Sequence, residues 1–127
     1  MAEYQPGVCN LNTAETAYRR KAGNFMVVVS AVVAILLFVF GAHSIVRFVV
    51  VAPLIYLTAI SYLQAKNKFC VQYAATGKQN TDESSEQAVS IADEKATQAD
   101  KAKAKKMHIQ AAGIGIVVAI LFASIAL

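Results

Sequence analysis

Three long stretches without a charge limit what this chain can fold into. Residues 25–42, FMVVVSAVVAILLFVFGA, hold 18 consecutive uncharged positions. Residues 48–63, FVVVAPLIYLTAISYL, and 109–127, IQAAGIGIVVAILFASIAL, form two more. The hydrocarbon core of a bilayer, about 30 Å thick, takes roughly 20 residues of helix. The first and third runs meet that length alone. The second meets it from Ser44 or Ile45 if Arg47 snorkels to the interface. A soluble domain of 127 residues has too little polar sequence left to cover three fully apolar helices. The first run starts deep in the chain, lacks a small-x-small cleavage site and leads almost directly into the second, so a cleaved signal peptide is not expected. The 57% hydrophobic content, against about half in ordinary soluble domains, agrees with membrane spans.

Only Gly41-Ala42-His43-Ser44 separates the first two runs, which therefore form a tight antiparallel hairpin with Gly41 as a left-handed helix stop. Three spans place the N-terminus and residues 66–108 on one side of the membrane. Of twelve Lys and Arg residues, eleven fall on that side: Arg19, Arg20, Lys21, Lys66, Lys68, Lys78, Lys95, Lys101, Lys103, Lys105 and Lys106. Only Arg47 falls on the other. Short loops rich in Lys and Arg stay in the cytoplasm, so the expected orientation has the N-terminus inside and the C-terminus outside. The same rule explains the net charge of +4 without a nucleic-acid partner, and no basic patch interleaved with aromatic residues suggests one.

The polar segments read as helices too. Asn12 and Glu15 have capping-box spacing, and Glu15 and Arg19 are four apart, so residues 12–23 are predicted to form a short interfacial helix joined to the first span at Gly23. Residues 77–87 are turn-like. Ser84 and Gln87 give a second capping box, and the Ala-, Glu- and Lys-rich sequence beyond has no Gly or Pro before the third run. One helix of roughly 65 Å is therefore expected from about Ser84 to the C-terminus. Its thin apolar face is Ala88, Ile91, Ala92, Ala96 and Ala99. Two readings stay open: a solvated stalk, or a small-residue face that docks on a partner helix. The resulting division is 1–23, a cytoplasmic segment with the interfacial helix; 24–65, a transmembrane hairpin; 66–108, a cytoplasmic loop and stalk; and 109–127, a C-terminal span. The expected fold is thus an all-α membrane protein with three transmembrane helices.

Chemistry is thinly represented. No Asp or Glu lies in any span, and His43, Arg47 and His108 sit at interfaces, where they read as anchors. Pro53 should kink the second span, with Thr58 and Ser61 bonding back to the helix. Gly113, Gly115 and Ala119 give the third span a small-residue face suited to close helix packing. There is no Cys-x-x-Cys, phosphate loop or His-Glu-x-x-His. Cys9 and Cys70 lie on the reducing side, where a standing disulfide is not expected. A transient disulfide, palmitoylation, a shared soft metal or simple burial remain for them. No enzyme, cofactor or catalytic residue is expected. Expected partners are the lipid bilayer and other membrane helices, in a homo-oligomer or a larger complex. The leading functional expectation is an accessory or scaffold subunit. The alternatives are a thiol- or sulfur-linked membrane protein using Cys70 and Cys9, or a small oligomeric pore.

Two spaced patterns carry a resemblance. Asn10, Glu15, Arg19 and Gly23 give Asn-x4-Glu-x3-Arg-x3-Gly before the hairpin, and Cys70, Tyr73 and Gly77 give Cys-x2-Tyr-x3-Gly after it. Over residues 10–77 the chain resembles a family of bacterial inner-membrane hairpin domains of unknown function, typified by the transmembrane part of a membrane-bound rhodanese. The family usually has Cys-Pro where this chain has Cys70-Val71, and Arg where it has Thr16. No rhodanese domain is present, so no sulfur chemistry is carried over. The resemblance implies a paired-helix membrane module that often dimerises. It also implies that Asn10, Glu15, Arg19, Cys70 and Tyr73 join in a cytoplasmic cap under the hairpin.

Overall fold

The computed structural model describes residues 3–125. In chain order the elements are α1 (Thr13–Val39), α2 (Ser44–Asn67), α3 (Val71–Thr76), β1 (Lys78–Gln79), β2 (Val89–Ser90) and α4 (Glu94–Ala123). The fold is all-helical apart from the antiparallel strand pair, in which Lys78 faces Ser90 and Gln79 faces Val89. α1, α2 and α4 are each long and apolar enough to cross a membrane. α2 packs against both of the others.

Local chemistry sets the helix ends. Asn12 is extended, and its side chain accepts from the Glu15 amide at 2.8 Å, satisfying a free donor of the first turn. The Glu15 carboxylate does not complete the expected capping box; it accepts from Tyr73 instead. Gly41, at φ +65°, closes α1 as expected, with the Ala42 amide reaching back to the Leu37 carbonyl at 2.9 Å. His43 caps α2. The C-terminus of α2 turns on Lys68, a left-handed non-glycine residue at φ +51°, which swings Phe69 into full burial.

Two expectations about the polar helices are corrected. No separate interfacial helix precedes the first span, because α1 runs unbroken through Gly23. Gly23 is a contact point rather than a joint: a Cβ there would lie 2.9 Å from the Tyr62 ring of α2. The long helix starts at Glu94, capped by Asp93, and not at Ser84, so it spans about 45 Å. Several polar groups of residues 82–87 are instead satisfied locally. The Asp82 carboxylate accepts from both the amide and the hydroxyl of Ser84, and the Ser85 hydroxyl accepts from the Gln87 amide. Such bonds compete with helix formation, and the β1–β2 pair then carries the chain to Asp93.

The extension of α4 is not a solvated stalk. Ala96, Asp100, Ala104, Met107, Ala111, Gly115 and Ala119 are buried in a single stripe at three- and four-residue spacing. Its upper part covers α3 and the N-terminal segment, and its lower part lies along α2. The fully apolar core sits where α2, α3 and α4 meet, around Ile60, Phe69, Ala74, Met107 and Ala111. Pro53 lies inside α2, and Thr58 and Ser61 bond back to the carbonyls of Leu54 and Leu57.

Candidate functional site

The richest polar chemistry lies at one end of the bundle, where the chain leaves α2. The Asn10 side chain forms a reciprocal pair with the backbone of Cys70. Its Nδ2 donates to the Cys70 carbonyl at 3.1 Å, and its Oδ1 accepts from the Cys70 amide at 2.6 Å. An asparagine amide can imitate a peptide group in this way, joining two segments that form no sheet. The Lys68 carbonyl accepts from the amides of Asn10 and Leu11, at 3.0 and 3.1 Å. Asn10, Leu11 and Phe69 are completely buried.

The charged members lie beside this pair. Arg19 Nη2 donates to Cys70 Sγ at 3.3 Å, and Arg19 Nη1 lies 3.9 Å from Glu15 Oε1. The same carboxylate oxygen accepts from the Tyr73 hydroxyl at 2.6 Å. The Arg19 guanidinium also lies over the Tyr73 ring, 5.9 Å from its centroid. Burial, then the hydrogen bond to Glu15 and its charge, push the Tyr73 hydroxyl up to about 12. The structure thus brings Asn10, Glu15, Arg19, Cys70 and Tyr73 into one network. Cys70 is 2% exposed, whereas Cys9 is half-buried and donates weakly to the Leu11 carbonyl.

Two further groups complete the cap; sequence reading singled out Asn12 as a helix cap only, and neither Asn80 nor Asp100. Asn12 and Asn80 reach across the loop: Asn12 Nδ2 donates to the carbonyls of Asp82 and Ser85, and Asn80 Nδ2 to that of Ser85. Asp100, fully buried on α4, accepts from the Tyr4 hydroxyl at 2.8 Å and from the Gly7 amide at 2.7 Å. Burial and the Asp100 carboxylate raise the Tyr4 hydroxyl above its ordinary range. The signal for Asp100 was present: it is the one acid in the small-residue stripe of α4. The cap therefore ties the N-terminal segment, the foot of the hairpin and the start of α4 into a single body.

The expected helix-packing residues divide. A Cβ at Gly115 would lie 2.8 Å from the Ala52 carbonyl and 3.2 Å from the Tyr56 amide. Ala119 is fully buried. Gly113 packs on no other helix, since a Cβ there would meet nothing within 4 Å. It lies off the stripe that carries Ala111, Gly115 and Ala119. The partner of that stripe is α2 of the same chain. Arg47 is also more than an interfacial anchor. It is 4% exposed, donates to the Phe122 carbonyl at 2.9 Å and lies over the Phe122 ring, adding a charged donor to a carbonyl of the last turn of α4 that also accepts from the Ile125 amide. His108 is not free either: its Nδ1 hydrogen-bonds the Tyr56 hydroxyl, and the two rings stack.

Scans against protein-family models, curated proteins and solved structures find no match to this chain.

Proposed function

We propose that this chain is a small non-catalytic integral membrane protein, an accessory or scaffold subunit that packs within a larger membrane assembly. The supporting observation is how its side chains are used. The cap uses its polar groups to hold the N-terminal segment, the foot of the hairpin, the 80–85 loop and the start of α4 together, while the outer faces of α1, α2 and α4 stay apolar and unpartnered, with Val28, Ile35, Val49, Leu57, Val117 and Leu121 all exposed. In a bilayer such faces meet either lipid or other helices. The chain lies in the bacterial inner membrane with the cap in the cytoplasm. The eleven basic residues on that side support this orientation. The resemblance of residues 10–77 to the hairpin family makes a homodimer the simplest assembly.

Native mass measurement after gentle detergent extraction tests the proposal. A mass of two or more chains, or of a larger complex, is expected. A chain that travels alone at every detergent concentration contradicts it.

One observation favours a second reading. A guanidinium against a sulfur, as Arg19 stands against Cys70, is a feature of reactive thiols. On that reading Cys70 does chemistry with Cys9 as its partner. The two readings part at Cys70→Ala, which leaves function intact on the first and abolishes it on the second.

A further inference from the structure

Lys66, in the last turn of α2, and Lys103 and Lys106, on α4, line one cavity of about 150 Å³, with Asn67 and Gln110 beside them. They come from two helices, and no acid lines the cavity with them. The only ion pair among the described residues joins Glu15 and Arg19. Asp100, the nearest acid before Lys103 in sequence, has both oxygens taken by Tyr4 and Gly7. Lys66 and Lys106 are exposed and Lys103 is half-buried, so the rim of the cavity carries a positive charge that an anion would complement.

The cavity continues into apolar surface. Leu63 lines it and also lines two grooves, of about 570 and 720 Å³. The smaller groove runs down α4 past Ile109, Gly113 and Val117. The larger runs down α2 past Ala59 and Ile55, and Lys66, Lys68 and Arg20 stand at its polar mouth. Leu63 and Ile114 are common to both grooves. A soluble anion would use only the lysine cavity. A molecule with one anionic phosphate and two hydrocarbon chains would use all three spaces.

We propose that this region binds one anionic phospholipid, with its phosphate among Lys66, Lys103 and Lys106 and its acyl chains in the two grooves that meet at Leu63. The inference rests on the membrane-embedded reading and is independent of the accessory role. A bound lipid of this kind would join the foot of α2 to α4. Charge-assisted bonds from lysine to phosphate supply the selectivity, and the grooves supply retention.

Native mass spectrometry of the full-length chain in nanodiscs is the test. The discs contain equal amounts of palmitoyl-oleoyl phosphatidylglycerol and phosphatidylcholine. One phosphatidylglycerol should stay bound on release, preferred roughly tenfold over phosphatidylcholine. Combining Lys66→Gln, Lys103→Gln and Lys106→Gln should bring the ratio near one, and the matching triple change to Arg should restore it. The pair Lys101→Gln and Lys105→Gln, on the same helix but outside the cavity, should leave it unchanged. Equal retention of both lipids by the wild type overturns the proposal. So does an equal loss in the Lys101 and Lys105 pair, which would mean diffuse surface charge. Displacement of the lipid by inorganic phosphate, or a second copy of the chain in its place, overturns it as well. A chain that does not insert into the discs at all sinks the membrane-embedded reading itself, a result distinct from any of these.

Discussion

Adding one methyl group at Gly115 should separate α4 from α2, while adding it at Gly113 should do almost nothing. The two glycines lie two residues apart on the same helix, in the same apolar setting. At Gly115 the new carbon would stand 2.8 Å from the Ala52 carbonyl oxygen, 3.2 Å from the Tyr56 amide nitrogen and 3.4 Å from the Tyr56 Cβ. The first two neighbours are backbone atoms of a helix and cannot rotate away, so relief requires the helices to move apart by a few tenths of an ångström. Overpacking of this kind costs about 1–3 kcal/mol. It also loosens Ala111 and Ala119, one turn above and below, which are fully buried in the same stripe. At Gly113 nothing lies within 4 Å, so alanine there brings only its better helix propensity, up to about 1 kcal/mol. Thermal unfolding in detergent micelles, followed by circular dichroism, reads the difference. In a chain of 127 residues about 1 kcal/mol corresponds to roughly 3–5 °C. Gly115→Ala should therefore lower Tm by about 3–15 °C and Gly113→Ala should keep or raise it. Equal shifts for the two variants would refute the close approach of α4 to α2.

Other expectations concern the cap. Asp100→Ala leaves the Tyr4 hydroxyl and the Gly7 amide without their acceptor, which should cost about 1–3 kcal/mol and expose residues before Asn10 to limited proteolysis; unchanged cleavage would contradict the role given to Asp100. Cys70→Ala should lower stability slightly and Cys70→Lys should damage folding and function together, while a water-soluble maleimide should label Cys9 faster than Cys70 in opened vesicles. Rapid labelling of Cys70 with loss of function in the alanine variant would promote the thiol reading. Tyr73 has a folded-state value raised to about 12 from 10.0, so its contribution is fully present below pH 10 and is lost as pH climbs toward 12. Tyr73→Phe should reduce the alkaline loss of stability over that window, leaving the part due to Tyr4, which is shifted in the same direction. An identical alkaline profile in both proteins would count against the Tyr73–Glu15 bond.

The long apolar elements were legible because hydropathy and length act over whole segments, and a single residue rarely overrides them. The hairpin turn was legible for a different reason: Gly41 has the conformational freedom a left-handed stop requires. Residues 84–93 were not. Their composition favours helix, yet Asp82, Ser84 and Ser85 satisfy one another locally, with Asn80 beside them, and that arrangement is completed by Asn12, some 70 residues away in the chain. Gly23 and Gly113 show the same limit. A glycine in a helix marks either a joint, a close contact or neither, and only the neighbouring helix decides: Tyr62 occupies the space at Gly23, and nothing occupies it at Gly113. The seven-residue stripe of α4 was readable in its lower half as a packing face. Its upper half was obscured by the lysines that flank it and by an aspartate whose burial depends on Tyr4 and Gly7. Arg47 looked like an interfacial anchor because its acceptor, the Phe122 carbonyl, lies 75 residues away.

The most direct measurement is the side of the membrane on which the cap lies. A reporter inserted after Glu86, in the exposed turn before β2, leaves Asn80 and the asparagine bridges intact; a second follows Leu127. With three membrane crossings and the basic end inside, a fluorescent reporter should be active only at the first site and a phosphatase reporter that needs an oxidising compartment only at the second. Phosphatase activity at Glu86 with none at Leu127 would contradict the orientation, and the same reporter active at both sites would contradict three crossings.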